Sequence, residues 1–164
     1  MKRLLSIALL IVSGALLAEP PPTLRMPGQA DRAIVPASLL GADRNDVKAE
    51  DGKGGAIVYG GAPLLAVLEK NGLDTKDMNA ERKAAPAVVI ATARDGYTVV
   101  FSVGELLLHS GDPRVYLVAE KAGSALPEKE GPVRLIAAGQ RARSAYGLAR
   151  IEVKYLADNP PARH

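Results

Sequence analysis

The segment GPVRLIAAGQRARSAYGLARIEV, residues 131–153, constrains this chain more than any other. A Gly-Pro turn leads into an apolar strand at 133–137, the run breaks at Gly139, and a basic loop follows at 140–144. A second β-like run spans Leu148–Tyr155. Two strands around a loop of arginines can hold an anion, because guanidinium forks and unpaired backbone N–H groups favour negative oxygens. The same pattern also describes a buried hairpin whose arginines are merely solvated. Both readings stay open on these residues.

The rest of the chain predicts short strands and short helices in mixed order. A strand is expected at 24–26, a turn at Pro27-Gly28, a short apolar run at 33–35 and one helical turn from Pro36. Polar residues 44–53 carry Asp51-Gly52, which reads as a turn between two weak strands. A strand at 57–59 is expected to turn at Gly60-Gly61, with Pro63 opening a helix. Leu64, Leu65, Val67 and Leu68 form its apolar face, and Gly72 stops it. Residues 74–83 read as an exposed loop or a frayed helix.

Ala87–Ala93 and residues 97–101 form the clearest hairpin, joined through Arg94-Asp95-Gly96 and rich in β-branched side chains. Ser102 and Glu105 have capping-box spacing ahead of a helix that runs to Leu108. A strand at 114–119 and a turn around Gly123 complete the pattern. No regular βαβ repeat is present, so the expected class is α+β, not a doubly wound sheet.

The start, MKRLLSIALLIVSGALLA, sets Lys2 and Arg3 before an apolar run at 4–12 and small residues up to Ala18. It predicts a secretory signal at 1–18, cleaved after Ala18, and hence a periplasmic or secreted protein without a stable membrane span. Pro20, Pro21 and Pro22 make 19–23 a stiff spacer, 24–157 the folded domain and 158–164 a flexible tail. Loss of Lys2 and Arg3 lowers 21 basic residues to 19, against 18 acidic ones. That balance, without a basic face interleaved with aromatics, argues against a nucleic-acid partner. The chain has no cysteine, so its stability rests on its core, and thiolate metal sites and cysteine nucleophiles are excluded.

The run GPVRLI followed by ARSAYGLARIEV resembles the end of the sulfite-oxidase-type molybdopterin-binding domain. Tyr59-Gly60-Gly61-Ala62-Pro63-Leu64, Asp95-Gly96-Tyr97 and Leu126-Pro127 agree with that family in the same order, so the resemblance covers residues 24–155. It implies a mixed-sheet fold with short helices and an exported, molybdopterin-dependent oxidoreductase-like protein. The family's molybdenum is held by a pterin dithiolene and one protein cysteine. That cysteine's place falls within residues 44–50, RNDVKAE, which contain none.

Ala142, Arg143 and Ser144 fall on the family's Ala-Arg-Ser positions, making Arg143 and Ser144 the expected cofactor-binding residues. The family's lysine falls on Tyr146, and Arg141 replaces a small glycine. The resemblance therefore implies an incomplete or altered cofactor site. The alternative is a noncatalytic binding module for a small anion, a pterin or a protein partner.

Arg134 also matches, but an arginine inside an apolar strand suits a structural pair with a carboxylate such as Glu152. No catalytic residue and no metal ligand is assigned. His109 and His164 are too separated to share a metal, and Asp31, Asp43, Asp46 and Asp51 fit neither an EF-hand nor a hydrolase pair. Gly60-Gly61 lacks a P-loop lysine, and no G-x-S-x-G elbow occurs.

Overall fold

A computed structural model describes residues 19–50 and 55–156. The expected signal at 1–18, the Asp51-Gly52 turn, His164 and the tail at 158–164 lie outside those residues. The strands are β1 (Thr23–Arg25), β2 (Arg32–Ala33), β3 (Asn45–Glu50), β4 (Ala56–Pro63) and β5 (Ala87–Ala93). They continue as β6 (Thr98–Ser102), β7 (Val115–Lys121), β8 (Ser124–Ala125), β9 (Arg134–Ala137) and β10 (Leu148–Tyr155). Three short helices, α1 (Leu64–Lys70), α2 (Met78–Ala84) and α3 (Val103–Leu108), lie between them. Among the described residues no helix is long and apolar enough to cross a membrane.

Period-two alternation gives the first sheet its buried face. Ala87, Val89, Ala91 and Ala93 of β5 point inward, as do Val99 and Phe101 of β6 and Ile151 and Val153 of β10. The sheet runs β2-β1-β10-β5-β6, with β1 and β10 parallel and the other pairs antiparallel. The second sheet runs β3-β4-β7-β8, and β9 also pairs with β7, all antiparallel. The architecture is α+β, as expected. One large core gathers Leu24, Val89, Phe101 and Ile151 of the first sheet with Leu117 and Leu135 of the second, together with Leu64 and Leu68 of α1. A smaller cluster of Val47, Tyr59, Val118 and Ile136 is separate from it. Leu135 and Ile136 are adjacent on β9 yet join different clusters, so this smaller cluster occupies the second sheet's outer face.

The opening segment is not a hairpin. Strand β9 belongs to the second sheet and β10 to the first, so residues 138–147 carry the chain between sheets. On the way Ala145 and Leu135 exchange backbone hydrogen bonds of 2.9 and 3.0 Å. Gly131 has φ +75°, and a Cβ there would lie 2.8 Å from Gly147 Cα. A side chain at this crossing would be strained in backbone and in space.

Gly60-Gly61 is not a turn either. Strand β4 continues through both glycines to Pro63, with a bulge between them opposite β7. A Cβ on Gly61 would collide with the Leu117 carbonyl and come within 2.6 Å of Val118 Cα. The missing side chain lets the two strands approach closely instead of reversing the chain.

Two smaller readings change as well. Of the loop and the frayed helix read for 74–83, the helix forms, as α2, and it is capped where it was expected to fray, because Asp77 Oδ1 accepts from Asn79 N–H at 2.8 Å and Ala80 N–H at 2.9 Å. Residues 19–23, read as a spacer, are tied to the body. Pro22 is buried and accepts from Ile34 N–H at 2.8 Å, Thr23 begins β1, and Glu19 pairs with Arg94. At the end of α1, Gly72 N–H bonds the Glu69 carbonyl and Leu73 N–H the Leu68 carbonyl, the expected stop.

Candidate functional site

A cleft of about 580 Å³ opens on the outer face of the second sheet. Ile57, Tyr59 and Ile136 contribute its apolar part. Among the described residues four cationic residues border it: Lys121 from β7, Arg134 from β9, Arg141 from the crossing segment, and Lys48 from β3, where Val47 and Ala49 face the cleft's apolar cluster and Lys48 between them points to the strand's other face. Ser144 and Tyr146 close the side formed by that segment, and Glu50 is the carboxylate on the border. Lys48 and Arg141 are exposed and, among the described residues, neither is ion-paired.

The deep end is a buried charge network. Arg134, 8 % exposed, donates from Nη1 to Tyr59 Oη and to Glu130 Oε2, both at 2.7 Å. Its guanidinium lies 3.9 Å from the Tyr146 ring centre and 5.0 Å from that of Tyr59. Lys121 Nζ donates to Glu130 Oε1 and sits 5.6 Å from the Tyr59 ring centre. A buried charge is tolerable only when paired, and Glu130, 7 % exposed, serves two cations at once. Burial disfavours its charged form, but hydrogen bonds from Lys121 and Arg134 outweigh that and hold the carboxyl below its ordinary value. The Glu130 hydrogen bond raises Lys121 in turn. Arg134 Nε is buried and, among the described residues, has no hydrogen-bond partner.

Arg134 is thus paired inside the fold as expected, but with Glu130, not Glu152. Glu152 lies in the first sheet and bonds Arg150 and Lys154, each at 3.1 Å. Glu130 ends the charged run Glu128–Glu130, whose residue types carry no local signal of burial.

Arg143 and Ser144 do not converge. Arg143 turns away from the cleft, giving Nη1 and Nη2 to the Glu105 carboxylate at 2.6 and 3.0 Å. It also donates to Gln140 Oε1 at 3.0 Å and to the Val100 carbonyl at 2.8 Å, and stacks 4.1 Å from the Phe101 ring centre. The Arg143 hydrogen bonds hold Glu105 below its ordinary value. They also explain why the capping box is half made: Ser102 Oγ accepts from Glu105 N–H at 2.9 Å, while that carboxylate goes to Arg143. Ser144 does border the cleft, but its Oγ already accepts from Ala137 N–H at 3.0 Å.

Sequence reasoning did not single out Lys48, Lys121 or Glu130, and it took Arg141 and Tyr146 only as departures from a family pattern. Lys48 carried one signal, its place within residues 44–50. His109 borders a second cavity of about 160 Å³ with Pro63, Leu65 and Leu106, away from these cations.

The border residues do not fit a thiolate-held molybdenum. The chain has no cysteine, and residues 44–50 bring Lys48 and Glu50 to the cleft while Arg44 pairs with Asp46 and Glu120. Among the described residues no group of three or more His, Cys, Asp or Glu is arranged to hold a metal ion. No protein-family model matches this chain, and neither does any curated protein.

Proposed function

We propose that this protein is an exported, noncatalytic binding module that holds a small anion in the cleft on the second sheet. The observation that carries this reading is the convergence of Lys121, Arg134 and Arg141, from three separate segments, on one concave space. Cations around a half-enclosed cavity focus positive potential there, and a lowered local dielectric strengthens each contact with an anion. Tyr146, 56 % exposed, adds a flat surface backed by the Arg134 guanidinium.

Calorimetric titration with sulfate and inorganic phosphate tests the reading. Binding that weakens in Arg141→Ala, and as salt rises, is expected. If no anion binds, the small-anion reading fails and a protein partner takes its place.

A second reading, a molybdopterin-dependent oxidoreductase of the sulfite-oxidase type, is favoured by one specific observation. The cleft is bordered both by residues 44–50 and by the basic segment, the two stretches that the resemblance assigns to the cofactor. With no cysteine in the chain, such a protein would hold its pterin without a protein thiolate. Metal analysis of protein from a molybdenum-replete exporting host decides between the two: near-stoichiometric molybdenum with bound pterin overturns the noncatalytic reading. Export itself rests on residues 1–18, and a mature chain beginning at Glu19 in the periplasm or medium is the expected result.

A further inference from the structure

We infer that Glu130 is a built-in counter-anion that limits the charge of the cleft's ligand, so that the site takes an anion of one or two charges in preference to a polyphosphate. The inference rests on the anion-binding reading above and deepens it.

Glu130 is fixed in place. Both of its carboxylate oxygens are engaged, one by Lys121 and one by Arg134. Its backbone carbonyl accepts from Gly147 N–H at 2.8 Å, and the following residue, Gly131, leaves no space for a side chain against Gly147. Glu130 is not among the residues that border the cleft. It therefore stands behind the wall and draws the two deep cations toward itself and away from the open space.

A ligand consequently meets less positive charge than the four cations suggest. Among the described residues, Lys121, Arg134 and Arg141 are offset by Glu130, and Lys48 by Glu50 on the same face of β3, which leaves a net charge of +2. An anion of one or two charges is matched by that excess. A polyphosphate brings surplus negative charge into a half-enclosed space backed by a buried carboxylate, where like charges repel more strongly than in bulk water. Arg141 is exposed and, among the described residues, has no ion pair, so the ligand's charged group meets it while Tyr146 contacts its body.

The test is a comparison of sulfate with tripolyphosphate on the full-length mature chain, at matched ionic strength near 0.15 M, with Arg141→Ala as the marker that binding is in the cleft. The expected result is tripolyphosphate affinity no greater than that for sulfate. Glu130→Gln keeps the side-chain shape and removes the charge, and it should improve tripolyphosphate over sulfate by about tenfold, or about 1.4 kcal/mol. Tripolyphosphate binding ten times tighter than sulfate in the unaltered protein, and weakened by Arg141→Ala, overturns the inference while leaving anion binding intact. Binding of neither probe removes the anion-binding reading and this inference with it. If Glu130→Gln does not fold, the ratio in the unaltered protein decides alone. If it folds with an unchanged ratio, Glu130 does not set the selectivity.

Discussion

Arg143 grips Glu105 through both of its terminal nitrogens, at 2.6 and 3.0 Å, across 38 positions of sequence. This pair fastens the crossing segment to α3, while the Val100 carbonyl and Phe101 ring fasten it to β6. Among the described residues β6 pairs with β5 alone, so the guanidinium also occupies one carbonyl of the outer edge of that sheet.

Arg143→Ala should therefore destabilise the unliganded protein, by about 1.5–3 kcal/mol, the usual worth of hydrogen bonds to a charged group. Anion affinity should change little. Urea unfolding and calorimetry on the same variant check this. A tenfold loss of affinity at unchanged stability would return Arg143 to the binding site.

Arg134→Met removes a partner from a carboxylate buried to 7 % exposure. Breaking a buried pair costs about 3–5 kcal/mol, and Lys121 remains to hold Glu130, so the lower end is expected. The thermal midpoint should fall whether or not sulfate is present. An unchanged midpoint would show that Glu130 is satisfied by Lys121 alone.

Acid should expose both pairs. Glu105 and Glu130 have folded-state values below their ordinary 4.5. Each therefore contributes stability that is full above that value and is lost as pH falls through the lowered folded value. The urea midpoint should hold from neutral pH to about 5 and then drop, and Glu105→Gln should flatten part of that drop. A Glu105→Gln profile parallel to that of the unaltered protein would contradict the assignment.

Lys48→Ala and Arg141→Ala touch exposed side chains without ion pairs among the described residues, so each should leave stability within about 0.5 kcal/mol. Arg141→Ala should weaken sulfate binding about three- to tenfold, the effect shrinking at high salt, while Lys48→Ala, on the other face of β3, should change it little. Affinity insensitive to Arg141→Ala would move the anion site elsewhere.

Gly61→Ala places a methyl group where the β7 backbone already lies, so β4 and β7 must separate at the bulge. Overpacking of this kind costs about 1–3 kcal/mol, and more where the clashing atoms are backbone. Gly96→Ala, with no atom within 4 Å of the added Cβ, is the control for left-handed strain alone, at φ +86°. Equal losses from the two would refute the close-approach account.

The sequence by itself determined what short-range patterns encode. Alternation in β5, β6 and β10, the Asp95-Gly96 turn, the Gly72 stop and the Ser102 cap are each written within a few residues, where backbone conformation and side-chain period act. Composition settled the thiolate question outright, because a chain with no cysteine offers no thiolate ligand in any fold.

Only the tertiary structure decided which elements meet. It separated β9 from β10, carried β4 straight through Gly60-Gly61, buried Glu130 beneath Arg134, and turned Arg143 toward Glu105. The cleft draws Lys48, Lys121, Arg134 and Arg141 from strands and a crossing segment spread over more than half the described chain. Whether a charged side chain is solvated, paired or part of a binding wall depends on what removes water from it. Here that is done by residues tens of positions away, brought close only when the two sheets pack.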